Sequence, residues 1–165
     1  MKERVARLDL PKTHLDALEL LFKRLPMGQY LWALTGSAGL RLQGVDVPVH
    51  DLDIQTDGKT IYLIEKQLLE YVRTPVHFWQ SPGMRSLEGR FEIYGVEIEL
   101  LADIVHLKAD GSGRSYTDFS RLICIKLHGM HIPVFPLEDE LDAYLAMGRI
   151  EKAALIRRTI QETGE

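Results

Sequence analysis

The sequence predicts an α/β (α+β) domain in which helices pack on a β-sheet. Three observations point there. Segments with helical spacing alternate with segments of period two along most of the chain. The 165 residues suffice for one domain with a buried core, and no repeat, low-complexity tract or long linker divides them. Hydrophobic residues make up 45% and charged residues 27%, the balance of a folded chain rather than a disordered one.

The elements follow in order. Behind Thr13, which with Asp16 makes a weak capping box, Leu15, Leu18, Leu21, Phe22 and Leu25 recur at helical spacing until Pro26-Met27-Gly28 stops the pattern. Tyr30 to Leu34 reads as a buried strand. Thr35-Gly36-Ser37 is a turn, with Ser37 placed to cap a short helix reaching about Gln43. A loop from Gly44 to Pro48 leads to a strand, His50 to Thr56, that sets Leu52 and Ile54 on one face and Asp51 and Asp53 on the other. Ile61, Ile64, Leu68, Leu69 and Val72 predict an amphipathic helix over 60–72, followed by a short strand over 76–79 and a turn at Ser81.

Phe91 to Tyr94 and Val96 to Leu101 predict two strands joined near Gly95, or one strand bent there. Asp110 to Ser115 is a flexible loop, and Leu122–His128 and His131–Phe135 are strands. From Leu137 the chain is helical, with Gly148 dividing it in two. Glu138, Asp139, Glu140 and Asp142 at its start and Arg157 and Arg158 near its end suit the helix dipole. The core of a single domain, 1–165, is thus expected over about 28–136, with a C-terminal helical tail over about 137–162.

Several function classes drop out. No apolar run approaches the roughly 20 residues that span a bilayer, and no apolar run follows the charged N-terminus, so neither a membrane segment nor a secretory signal is expected. A cytoplasmic protein is the default. The single cysteine, Cys124, forms no internal disulfide and no cysteine cluster for zinc, and its apolar neighbours predict burial. With 24 acids against 20 bases, the chain is not built to coat nucleic acid. The acidity is local: Asp51, Asp53, Asp57 and Glu97, Glu99, Asp103 account for six acids in two short stretches. The other 18 acids are outnumbered by the 20 bases.

Those stretches carry the chemistry. Gly36 permits a tight turn and close approach to a ligand, and Ser37 lies where a helix start favours a phosphate. Asp51 and Asp53, two residues apart on a strand, project to one side and repel unless a cation lies between them; hard oxygens favour Mg²⁺. A third acid is expected from a neighbouring strand, Glu97 or Glu99, which share a face and which alternation cannot separate. Three acids, metal ions and a phosphate-binding turn describe phosphoryl or nucleotidyl transfer. Asp57 and Asp103 read as turn or capping residues, and His128 and His131, which bracket Gly129-Met130, as half-exposed turn residues rather than a metal pair. Trp32 and Trp79 read as core or rim residues. Arg149 and Lys152, one helical turn apart, face either a ligand or solvent with equal ease.

Gly36-Ser37, then thirteen residues, then Asp51-Leu52-Asp53-Ile54 resembles the signature of the nucleotidyltransferase superfamily with the DNA polymerase beta fold. Within it the chain is most similar to small stand-alone nucleotidyltransferase-like proteins, through Leu34 to Ser37, His50 to Asp57, Gly95 to Glu99, His128 to Met130 and Ala143 to Ala153. The resemblance implies a mixed sheet. It implies two Mg²⁺ ions, with Mn²⁺ as a substitute, held by Asp51, Asp53 and Glu99, Glu99 being preferred to Glu97 for its place relative to Gly95. It implies that Gly36 and Ser37 bind the phosphates of a nucleoside triphosphate (NTP) and that an acceptor hydroxyl attacks the α-phosphorus with release of pyrophosphate; Arg149 and Lys152 are the candidates from the C-terminal helix to reach the triphosphate or the acceptor. Many minimal members carry Arg soon after the Gly-Ser and Ser before the first Asp. Ala38 and His50 stand there, and Arg41 is the expected substitute for the former. The acceptor expected is a small molecule or a protein, with a homodimer or a partner protein completing the site if the acceptor is large. The competing readings are a catalytically inactive binding module, antitoxin-like in pairing with a partner, and, last, a nuclease.

Overall fold

The computed structural model describes residues 1–164. In chain order the elements are β1 (Glu3–Val5), α1 (Lys12–Arg24), β2 (Ala33–Thr35), α2 (Gly36–Leu42), β3 (Leu52–Thr56), α3 (Thr60–Gln67), β4 (Val72–Ser81), β5 (Met84–Ile93) and β6 (Val96–Leu107). They continue with β7 (Gly113–Arg114), β8 (Ile123–Leu127), β9 (Met130–Val134), α4 (Leu137–Ala146) and α5 (Ile150–Thr163). One mixed sheet runs β1-β8-β9-β2-β3-β6-β5-β4, with β7 paired to β6. Three pairings are parallel, β1 with β8, β2 with β9 and β3 with β6; the rest are antiparallel. Among the described residues no helix is long and apolar enough to cross a membrane.

The sheet has two unlike faces. One packs under α1 and α3, where Leu18, Leu21, Ile61 and Ile64 meet Leu34, Leu52, Ile54, Ile98, Leu100 and Phe91. This apolar layer holds most of the core. Trp32 is fully buried there, and its indole N–H donates to the Leu25 carbonyl at 2.9 Å, which closes the end of α1. Trp79 by contrast is exposed at the rim. The opposite face carries the alternate residues of the same strands, and α4 and α5 cover part of it through a second, smaller cluster of Leu40, Val45, Val47, Leu137, Tyr144, Ala153 and Ile156.

Several expected boundaries move. The strand expected over 30–34 is only Ala33–Thr35, because Gln29 and Tyr30 donate their N–H groups to the Pro26 carbonyl in a turn instead. Thr13 and Asp16 make no capping box: the cap position is Pro11, and Asp16 pairs with Lys12. Ser37 is not the cap of α2 but its second residue, with Thr35 at the cap position. The helix expected to 72 ends at Gln67 and gives way to a single 3-10 turn, after which Val72 opens β4. The two strands around Gly95 are a hairpin, each far longer than its apolar stretch. Asp103 lies within β6, not in a turn. Its φ of 53° falls where the β5–β6 register slips, marking a bulge. Asp57 does act as a turn residue, accepting from the Thr60 N–H at 2.7 Å.

One buried carboxyl ties the layers together. Leu137, Glu140 and Tyr144 are the buried residues of α4, and Glu140 accepts from the Thr35 hydroxyl at 3.0 Å through both oxygens. Burial, opposed by the Thr35 hydrogen bond and reinforced by Asp53, pushes the Glu140 carboxyl up to about 7.

Two predictions follow from these contacts. Trp32→Ala is expected to cost about 3–5 kcal/mol of unfolding free energy in urea, the price of a large cavity in the main core. For Glu140, the unfolded chain loses its proton near the ordinary carboxyl value of 4.5, whereas the folded chain keeps it to about 7. Stability from this group is therefore present below about pH 4.5 and is lost as pH rises to about 7. Glu140→Gln keeps an acceptor for Thr35 without the charge. It is expected to match the parent in unfolding free energy in urea near pH 4.5 and to exceed it at pH 8, by an amount on the order of a few kcal/mol. A variant less stable than the parent at pH 8 would contradict the charge argument.

Candidate active site

Asp53 and Glu99 face each other because β3 and β6 run parallel in a register that pairs Leu52 with Ile98 and Asp53 with Glu99. The same alternation that sends Leu52, Ile54, Ile98 and Leu100 into the core sends Asp53, Gln55, Glu99 and Leu101 to the other face. Asp51, at the bend just before β3, adds a third carboxyl. One carboxylate oxygen from each of Asp51, Asp53 and Glu99 lies within 4.8 Å of the others.

The register separates the two glutamates that alternation left equivalent. Glu97 lies opposite Glu92 and pairs with Arg90 at 2.7 Å, outside the cluster. Glu99 lies between Asp53 on one side and Arg90 on the other.

The Gly36-Ser37 turn passes directly beneath Asp53. Gly36 has φ of +64°, and a Cβ there would sit 2.0 Å from Asp53 Oδ2, so both backbone conformation and space require glycine. Ser37 Oγ accepts from Lys152 Nζ at 3.2 Å, which brings α5 to the start of α2. Arg149, just ahead of α5, lies over the Tyr144 ring at 5.3 Å.

Electrostatics mark the cluster as unbalanced. Burial, then Glu99, then Asp51 raise the Asp53 carboxyl to about 7, against the opposing pull of Lys152. Burial raises Glu99 as well, and Arg90 partly offsets it. Burial and then Arg149 lower Lys152. Three acids face only Lys152 and an Arg90 already paired with Glu97, which leaves an excess of negative charge in a half-buried site. The donors are all hard oxygens, so the residues present fit a hard divalent cation such as Mg²⁺ or Mn²⁺.

Two hollows flank the acids. A cleft of about 260 Å³ lies between the sheet and α4, lined by Asp53, Glu99, Glu140, Tyr116, Tyr144 and His106 among others. His106 meets Tyr116 edge to face, with ring centroids 5.4 Å apart. A shallower groove on the other side is lined by Ser37, His50, Arg149, Lys152 and neighbours. The structure thus brings together Gly36, Ser37, Asp51, Asp53, Glu99, Arg149 and Lys152. It does not bring Arg41, whose Nε donates to the Asp9 carbonyl at 2.7 Å and whose guanidinium pairs with Asp46 at 3.1 Å, in a separate surface hollow. Those partners hold the Arg41 guanidinium away from the acids in this arrangement.

Sequence reasoning missed Glu140, read only as a helix-dipole acid, along with the ring pair of His106 and Tyr116. For Glu140 a signal existed: Leu137, Glu140 and Tyr144 are spaced by three and four, so the glutamate shares the buried face of its helix.

Comparison with known proteins gives the family. A model of the aminoglycoside-2''-adenylyltransferase family matches residues 17–155, a span that holds every residue of the cluster. A Thermotoga maritima protein of known crystal structure, provisionally assigned as a nucleotidyltransferase, is 36% identical. It superposes with a TM-score of 0.81 over 94% of this chain and 98% of its own. No curated protein matches the sequence. The family match covers most of the chain and the fold agrees over 94% of it, and so this protein belongs to the aminoglycoside-2''-adenylyltransferase family of nucleotidyltransferases.

Proposed function

We propose that this protein transfers a nucleoside monophosphate from an NTP to an acceptor hydroxyl, releasing pyrophosphate. The observation that carries the reading is the cluster of Asp51, Asp53 and Glu99 against the Gly36-Ser37 turn, in a site where burial, then the neighbouring Glu99 and Asp51, raise Asp53 to about 7.

Asp51, Asp53 and Glu99 would hold two divalent cations, Mg²⁺ or Mn²⁺. Bound there, these supply the positive charge without which a triphosphate would be repelled. The Ser37 hydroxyl and the turn before it hold the outer phosphates, and Lys152 and Arg149 offset the charge of the departing pyrophosphate. Glu99, raised above an ordinary carboxylate by burial, takes the proton of the acceptor hydroxyl as the new oxygen–phosphorus bond forms and the bond to pyrophosphate breaks.

The family is named for adenylyl transfer to an aminoglycoside, an amino sugar bearing hydroxyls and cationic amines. A small acceptor of that chemistry suits the cleft beside Glu99, where the carboxyl oxygens of Glu99, Asp139 and Glu140 accept hydrogen bonds from hydroxyls and amines and Tyr116 and Tyr144 offer flat apolar surface. ATP and amino-sugar acceptors are therefore the first probes to use.

Two outcomes are expected. Asp53→Asn is expected to keep the fold but lower Mg²⁺-dependent pyrophosphate release by about 10³-fold or more, a loss of several kcal/mol of transition-state stabilisation. Full release in that variant would end the assignment. If no NTP with Mg²⁺ raised the Tm of the parent protein, the non-catalytic binding module would be the better reading. Gly36→Ala is expected to push the Asp53 carboxyl out of place. Release should fall at least as far as in Asp53→Asn, while the loss of fold stability is about 1 kcal/mol, from the positive φ.

A further inference from the structure

A second group of ligand-type side chains lies at the far end of the sheet. β1 pairs with β8 so that Glu3 stands beside Cys124, and β8 pairs with β9 so that Cys124 faces Pro133 and Lys126 faces His131. Glu3, Cys124 and His131 consequently share one face of three adjacent strands. This is the face away from Ile123, Ile125 and Leu127, which turn toward the core.

Cys124 Sγ lies 3.6 Å from His131 Nδ1, and His131 Nδ1 lies 3.6 Å from Glu3 Oε1. One ligand atom from each of the three residues falls within 4.8 Å of the others. A tetrahedral zinc, with Zn–S of about 2.3 Å and Zn–N and Zn–O of about 2.0–2.2 Å, separates its sulfur and nitrogen ligands by about 3.6 Å and its nitrogen and oxygen ligands by about 3.4 Å. Both observed spacings lie close to those values, before any side chain moves.

We propose that Glu3, Cys124 and His131 form a binding site for a zinc ion, independent of the acid cluster on β3 and β6. The mixed set of one sulfur, one nitrogen and one oxygen suits a borderline-soft ion and is a poor cage for Mg²⁺. Binding replaces the thiol proton: the Cys124 S–H bond breaks, a zinc–sulfur bond forms and the proton leaves to solvent. Without the ion, burial and then Glu3 push the thiol up, so the proton stays in place. Lys126 pairs with Glu3 Oε2 at 3.3 Å and leaves Oε1 for the ion. His131 and Glu3 are about half exposed, so the fourth position opens to water. The site would clamp the three-residue edge strand β1 to β8 and β9.

The test uses the reduced, untagged full chain with excess Mg²⁺ present to fill the acid cluster, titrated with Co²⁺ as the coloured stand-in for zinc. The parent is expected to bind one equivalent with a sulfur-to-cobalt charge-transfer band, which an all-carboxylate site cannot produce. Zn²⁺ should displace the Co²⁺ and raise the Tm. Cys124→Ser is expected to lose the band and Asp53→Asn to retain it. His131→Ala and Glu3→Gln, changes at half-exposed positions that leave the fold alone, should each weaken Co²⁺ binding about 10-fold or more and abolish the Tm response. Absence of the band in the parent would overturn the site. So would a band that survives in Cys124→Ser, or binding at parental affinity in both His131→Ala and Glu3→Gln, which would reduce the site to an isolated thiolate.

Discussion

The parallel register of β3 on β6 places two carboxylates side by side, and the rest of the site is arranged around that forced approach. Like charges at this spacing repel, and burial removes the water that would screen them. The structure offsets this only partly. Lys152 comes in from α5 and Arg90 from β5, yet Asp53 still holds its proton to about 7. The Gly36 turn adds a steric constraint, because it passes so close under Asp53 that no side chain fits. One strand pairing thus dictates a glycine, a lysine from the C-terminal helix and an unmet demand for cations.

The division of labour between the faces of the sheet makes this affordable. Under α1 and α3 the face is a continuous apolar layer that includes Trp32, Phe91 and the inward residues of β3 and β6. That layer supplies the stability, so the other face can carry groups that cost stability. Glu140 is the plainest case: buried, bonded to Thr35, and lifted to about 7 in the same cleft as Asp53. Binding and catalytic surfaces often hold such unfavourable burial, and the cost is met by ordinary packing elsewhere in the fold.

How much of this could be read from the residues depended on whether the signal was local. The Gly-Ser turn, the paired aspartates and the break at Gly148 are local patterns, and all three recur in the structure. The ends of β4 and β5 were hidden because both strands reach past their apolar residues. β4 is an edge strand whose outer half, His77 to Gln80, is exposed throughout. β1 is three residues long and depends on β8 for its existence. Glu97 and Glu99 differ only in what lies across the sheet, which no single strand records. Arg41 is turned away from the acids by Asp9, 32 residues upstream of it, and by Asp46, and neither pairing is marked in the motif that suggested a phosphate ligand.

The placement of charge around the acids gives the proposed reaction a direction. In an in-line displacement the attacking oxygen and the departing pyrophosphate lie on opposite sides of the phosphorus. The two hollows beside Asp51, Asp53 and Glu99 differ in the way such a reaction needs. The groove past Ser37 carries Lys152, bonded to the Ser37 hydroxyl, and Arg149 beside the acids Asp46 and Glu151, and the cleft under α4 carries Asp139, Glu140 and tyrosine rings, which suit a hydroxylated acceptor. Arg149 borders both hollows, and the adjacent residues Gly36 and Ser37 line one each. The reacting phosphorus would then sit at the junction, with Glu99 on the acceptor side. Reversed binding would set a triphosphate against the carboxyls of the cleft and the acceptor's amine against Lys152. Lys152 beside Ser37 and the carboxyls under α4 thus favour one orientation of the two substrates before any contact specific to the base or the acceptor is made.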